Sequence, residues 1–224
     1  MIYSFDFSIL IKYLPALLRG LMITLEVSAV SILAGIVLGF LLAIARQFGG
    51  PWLATPAMAI VEFVRGVPVL IQIFWVFFCL PAIIGMDIGS TLSAALALTL
   101  FMGAISSESF RAAFATIDKD QYDATVALGM PMRVTMLYVI LPQALIRATP
   151  TLLSNAITVF KESAIVSAVG MADIMFVGRN ISSASGHPIE ILTVVAAAYF
   201  IVAWPMTLLV GNLERRRLER MSAA

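Results

Sequence analysis

The sequence predicts an all-α membrane protein: a bundle of about five transmembrane helices with a cytoplasmic helix–turn–helix, forming a single domain over residues 1–224. Three observations predict it. Of 224 residues, 61% are hydrophobic and 12% charged, with a mean hydropathy of +1.02. A soluble domain of this size cannot hide so much apolar surface. The apolar residues fall into five stretches, each near or above the ~20 residues needed to cross the hydrocarbon. Positive charge is also segregated between the connecting segments, as the positive-inside rule requires of a polytopic chain.

The first span is expected at roughly 17–45, LLRGLMITLEVSAVSILAGIVLGFLLAIA. The residues before it, with Asp6, Lys12 and Pro15, read as a short interfacial lead-in and lack the basic-then-apolar pattern of a signal peptide. Gly35 and Gly39 share a face four residues apart, a spacing that lets another helix come close. Glu26 either lines a cavity or pairs with Arg19 across two turns. Arg46 closes the span, and residues 47–51 form a turn.

The second span is expected at 57–80. Glu62 and Arg65, three apart, can pair on one helix face, an architectural role rather than a substrate-binding one. The run Arg65-Gly66-Val67-Pro68 should kink the helix, since Pro cannot donate into it. Gln72 then faces the membrane interior, where a polar group needs a partner. A loop at 81–91 carries Gly85, Asp87 and Gly89. The third span, 92–114, is rich in small residues and ends with Glu108 and Arg111. These read as an inner-interface ion pair in preference to a gate pair.

The longest interruption follows, over about 116–142. Gln121 to Leu128 holds good helix formers. Gly129-Met130-Pro131 breaks that helix. Met132 to Leu141 forms a second, apolar run that ends at Pro142, which opens the fourth span at 143–163. The stretch 164–188 is mixed, with a helical hint at 171–176 and a loop at 182–188. The fifth span covers 189–210, and Glu214-Arg215-Arg216-Arg217-Leu218-Glu219-Arg220 is a basic stop.

Five spans put the two ends on opposite sides. With the N-terminus outside, the inner side collects Arg46, Arg65, Arg111, Lys119, Arg133, Arg147, Arg215, Arg216, Arg217 and Arg220. The outer side receives Lys12, Arg19 and Arg179. The asymmetry predicts an N-out, C-in chain with the helix–turn–helix in the cytoplasm.

Composition excludes several function classes. The net charge of +1 gives no general attraction to nucleic acid. Cys79 is the single cysteine, so there is no internal disulfide and no thiolate metal site. His187, also single, reads as a solvated loop residue rather than a ligand. No glycine-rich phosphate loop, nucleophile elbow or zinc spacing occurs. No catalytic residue, cofactor or metal is therefore expected; if ATP is used, it is bound on another chain.

Ionisable groups in spans are costly and mark function by default. Lys161-Glu162-Ser163, with Asn155 two turns earlier, is the most informative set. At 1.5 Å per residue Lys161 lies roughly 20 Å beyond Arg147, in the outer part of the span. These four residues could supply an acceptor for an ammonium and donors for a carboxylate, the two needs of a zwitterionic amino acid. Alternatively, Lys161 and Glu162 snorkel to water at the outer interface.

Several of these segments resemble the amino-acid (His/Glu/Gln/Arg-type) branch of type I ABC importer permeases. The 116–142 stretch is similar to that family's EAA loop: Glu-Ala-Ala, three residues, Gly, nine residues, then Ile-x-Leu-Pro. Asp123-Ala124-Thr125 stand at the first three positions, Gly129 on the Gly, and Val139-Ile140-Leu141-Pro142 at the end. Asp for Glu, Thr for Ala and Val for Ile are departures that keep charge or size roughly. Leu17–Ser28, Glu62–Phe74, Glu108–Met130 and Leu141–Ile174 resemble other blocks of the branch, and Lys161-Glu162-Ser163 stands where it has Lys-Asp-Thr/Ser.

The resemblance implies a MetI-like core and a dimer, formed with an identical or a sister permease. It also implies an ABC ATPase dimer that receives Asp123, Ala124, Thr125, Gly129, Leu141 and Pro142, and an extracytoplasmic binding protein that delivers the amino acid. The chain would sit in the bacterial inner membrane. Two other classes stay open on the residues alone. A secondary amino-acid transporter lacks support from a pair of broken repeats, and a non-transporting assembly factor does not explain the polar groups in spans.

Overall fold

The computed structural model describes residues 6–222, with side chains through residue 212. Among the described residues eight helices follow one another: α1 (Ile9–Phe48), α2 (Gly50–Gly66), α3 (Val69–Ile84), α4 (Gly89–Ala115), α5 (Lys119–Ala127), α6 (Met132–Val169), α7 (Ile174–Ser185) and α8 (Pro188–Ser222). No strand occurs among the described residues. Of these described helices four are long and apolar enough to cross a membrane, α1, α4, α6 and α8; α2 with α3 makes a fifth span if the bent pair is counted as one.

α1 begins at Ile9, so Lys12 and Pro15 lie within the helix and the expected lead-in is not a separate segment. Its 40 residues reach about 60 Å, twice the hydrocarbon thickness. Side chains could not pack closely along such a rod without a seam of small residues. Gly35 and Gly39 provide it. A Cβ on Gly35 would lie 2.4 Å from Met102 Cβ, and one on Gly39 would lie 2.6 Å from the Gly103 carbonyl oxygen. The α1–α4 contact is thus close enough to exclude a methyl group. Around it sit Val27, Leu98, Met102 and Val159, the main apolar core.

The expected kink is a break. α2 and α3 meet at 110°, with Val67 extended and Pro68 opening α3. Pro68 has no N–H for the Val64 carbonyl. Gln72 Nε2 donates to that carbonyl at 2.7 Å and to the Val67 carbonyl at 2.8 Å. The polar side chain that needed a partner in the membrane satisfies the break itself.

The helix–turn–helix differs from expectation on its second arm. α5 ends in a Schellman turn: Met130 N–H donates to the Thr125 carbonyl at 3.0 Å and Gly129 N–H to the Val126 carbonyl at 2.9 Å. Gly129 takes φ +66°, which costs glycine little. Beyond Pro131, however, there is no second short helix ending at Pro142. α6 runs from Met132 through Pro142 into the fourth span. A π-helical turn at Thr135–Ile140 absorbs the proline, because the wider winding moves the preceding carbonyls off the ring. The same device, Trp75–Cys79, precedes Pro81.

Residues 182–185 are helical rather than loop. Asp173 caps α7, accepting from Met175 N–H at 3.1 Å and Phe176 N–H at 3.0 Å, and left-handed Gly186 ends it. The basic run 214–220 continues α8; its side chains lie outside the described ones.

Candidate functional site

Three polar assemblies interrupt the apolar bundle. The first is the α5 elbow. Thr125 is buried and its hydroxyl donates to the Tyr122 carbonyl at 2.8 Å. Asp123, Ala124, Gly129 and Pro142 are exposed, and Leu141 is half-buried against the cluster of Phe110, Phe114, Ile117 and Ile140. The elbow is attached to the bundle on both flanks. Arg147 of α6 donates to the Thr116 carbonyl before α5, and Gln143 Nε2 donates to Gln121 Oε1 at 3.3 Å. Around Gly129 the molecule exposes large apolar side chains: Val126 74%, Leu128 77%, Leu137 59% and Tyr138 75%.

The second assembly lies at the same end of the bundle. Glu108 Oε2 accepts from Arg111 Nε at 2.9 Å and Nη2 at 2.8 Å, the expected i,i+3 pair. Its Oε1 accepts from Arg46 Nη1 at 2.5 Å, and Arg65, itself 3.3 Å from Glu62, stands 4.0 Å away. Both i,i+3 pairs follow from local spacing, but α1 also supplies Arg46 and the pairs form one cluster. No local spacing could reveal it, since Arg46 and Glu108 are 62 residues apart.

The third assembly stands at the opposite end. Lys161 is exposed, Glu162 half-buried and Ser163 buried. Ser163 Oγ donates back to the Phe160 carbonyl at 2.7 Å. Asn155 does not join them: it lies roughly 9–12 Å down the helix, and its Nδ2 donates to Ser109 Oγ of α4 at 2.9 Å. Glu26 faces a hollow of about 660 Å³ with Ser90 and Thr91, the cavity alternative to pairing with Arg19. His187 is not fully solvated, its Nδ1 standing 3.4 Å from buried Glu190.

Nearby, Asp173 is fully buried and accepts from Tyr199 Oη at 3.5 Å. Thr24 of α1 receives Ile174 N–H at 3.1 Å. Burial pushes the Asp173 carboxyl up from its ordinary 3.8, against the pull of the two capping N–H groups. A raised carboxyl is more protonated in the folded than in the unfolded chain. Its contribution to stability is therefore full below 3.8 and is lost as pH rises through the folded value. Asp173→Asn keeps one capping oxygen and cannot ionise. Thermal melts of both proteins from about pH 4 to about pH 7 are expected to favour the variant progressively as pH rises; a pH-independent gap would refute the buried-acid assignment.

A family model described as "binding-protein-dependent transport system inner membrane component" matches residues 35–219. The chain belongs to this family. It is accordingly a multi-pass permease component of an inner-membrane transport system. Curated relatives cover it nearly end to end. The arginine transport system permease protein ArtQ of Bacillus subtilis (strain 168) is 34% identical, over 95% of this chain and 97% of its own length. The glutamine transport system permease protein GlnP of Escherichia coli (strain K12) is 33% identical, over 95% and 98%. Among solved structures, an amino acid ABC transporter crystallised with histidines superposes at TM-score 0.89 with 30% identity, over 96% of this chain and all of that one. A chain of the inward-facing MetNI methionine ABC transporter, 23% identical, superposes at 0.71 over 90% of this chain and 98% of its own, and thus shares the fold.

Proposed function

We propose that this permease is the membrane-spanning subunit of an ATP-driven importer of polar amino acids. It works as a dimer, with a copy of itself or with a sister permease. The α5 elbow docks on a separate ATPase dimer, and an extracytoplasmic binding protein delivers the amino acid to the opposite end. The N-terminus is outside and the C-terminus cytoplasmic. The observation that carries the reading is the elbow itself: a capped helix, tied to α6 and to the end of α4, that presents an unpartnered apolar surface around Gly129. Such a surface suits a protein partner, and its position suits rigid-body transmission between nucleotide chemistry and the spans. At the far end, Lys161 and Glu162 offer opposite charges to a zwitterion, with Ser163 beside them and Asn155 further in on the same helix, where it donates to Ser109.

Reconstitution tests this directly. The permease with its ATPase in proteoliposomes, supplied with binding protein and radiolabelled arginine, glutamate or glutamine, should accumulate one of them only when ATP is inside. Accumulation by the permease alone, driven by an ion gradient, would replace this reading with a secondary transporter. Ligand-stimulated ATPase activity unchanged in both Asn155→Ala and Glu162→Ala would remove the substrate site from α6.

A further inference from the structure

The ion cluster around Glu108 borders a pocket of about 260 Å³ lined by Arg46, Gln47, Ala54, Thr55, Met58 and Arg111. It lies where the end of α1, the start of α2 and the last turns of α4 meet. Arg46 is two residues from the end of α1 and Arg111 four from the end of α4, so the pocket opens at the α5 end of the bundle. Three guanidiniums (Arg46, Arg65, Arg111) face two carboxylates (Glu62, Glu108), which leaves one positive charge in excess. Arg46 is held almost out of solvent, its side chain 10% exposed. Arg111 spends Nε and Nη2 on Glu108 and keeps Nη1 without a bond among the described residues. The Gln47 amide and Thr55 hydroxyl add neutral donors on the same wall.

The surroundings say what kind of anion fits. α2 exposes Trp52 at 93%, Leu53 at 59% and Met58 at 50% beside the pocket. Trp side chains flanked by apolar residues are enriched at the membrane–water interface. Basic pockets between spanning helices at that level take phosphate head groups. We propose that this pocket binds the phosphodiester head group of an anionic phospholipid, with Arg111 Nη1, Arg46, Gln47 and Thr55 as donors and the acyl chains lying along the apolar face of α2. The site requires membrane embedding and is independent of which substrate is carried.

The full-length chain in nanodiscs of equal phosphatidylglycerol and phosphatidylcholine, released into native mass spectrometry, tests the proposal. The chain should retain phosphatidylglycerol preferentially. Arg111→Gln should lower that preference about fivefold, the size expected for one arginine near a lipid surface. Thr55→Ala and Gln47→Ala, which leave the ion cluster intact, should each lower it severalfold even if Arg111→Gln folds poorly. Lys119→Gln, which removes a charge at the same end but outside the pocket, should lower it less than Arg111→Gln does. Equal retention of the two lipids would overturn the proposal, as would full retention in Thr55→Ala and Gln47→Ala, or an equal loss in Lys119→Gln. Inorganic phosphate should not displace the bound lipid; displacement at millimolar phosphate would identify a free-anion site and overturn the lipid assignment.

Discussion

Gly129→Asp is expected to cut uptake about a hundredfold while the bundle stays folded. A Cβ at Gly129 would meet nothing within 4 Å, and the residue sits at φ +66°. Asp tolerates that left-handed conformation better than most residues. Its charge at the C-terminal end of α5 opposes the helix dipole by only about 0.3–1 kcal/mol. The fold therefore loses little. Docking loses far more, because a partner closing over this exposed position would have to desolvate a carboxylate. A loss of about 3 kcal/mol of docking free energy corresponds to roughly a hundredfold in association. Uptake in proteoliposomes should fall by about that factor with the melting curve nearly unchanged. Gly129→Asn, equally tolerant of the backbone but uncharged, should lose less. Wild-type uptake in Gly129→Asp would show that nothing docks at the elbow.

Gly39→Ala is expected to destabilise the bundle although Ala is the better helix former. Ala gains about 1 kcal/mol in intrinsic propensity. Against this, its Cβ would lie 2.6 Å from the Gly103 carbonyl oxygen, 2.6 Å from Ser106 Cβ and 2.9 Å from Ser107 N. Two of those atoms are backbone and cannot rotate away, so α1 and α4 must part along their length. Overpacking of this kind costs about 1–3 kcal/mol and occasionally more; with rigid neighbours the net loss should be about 2 kcal/mol. For a chain of this length that lowers the melting temperature by about 4–8 °C. Gly66→Ala is the control. Its Cβ meets nothing and its φ is not left-handed, so it should be neutral or stabilising. Equal effects from the two would mean that the α1–α4 seam is looser than the backbone distances require.

What could be read from the sequence follows from the range over which each signal acts. The Gly35/Gly39 seam, the Pro68 break and the Gly129 turn are written within a few residues, and each occurs where the spacing placed it. Gln72 was recognisable as a polar group in need of a partner, and its partner proved to be the carbonyl that Pro68 orphans. Pro142 misled because a proline reads as a boundary. Nothing in TMLYVILP announces that a π turn will carry the helix through. Asp173 was legible and overlooked: an Asp just before an apolar run is an N-cap signal, and it explains why α7 is a full helix where only a hint was expected. The joining of Arg46 to Glu108, and of Thr24 to the start of α7, depends on which helices pack together. Local pattern does not encode that.

The unbroken course of α6 has a mechanical corollary. From Met132 to Glu162 the rod spans about 45 Å, one tip beside the elbow and the other carrying Lys161 and Glu162. A flexible joint at Pro142 would dissipate a displacement as local bending. In the proposed transporter a continuous shaft, cross-tied to the elbow through Arg147 and Gln143, would instead act as a crank: a stroke that tilts one tip would swing the other, with no intervening relay.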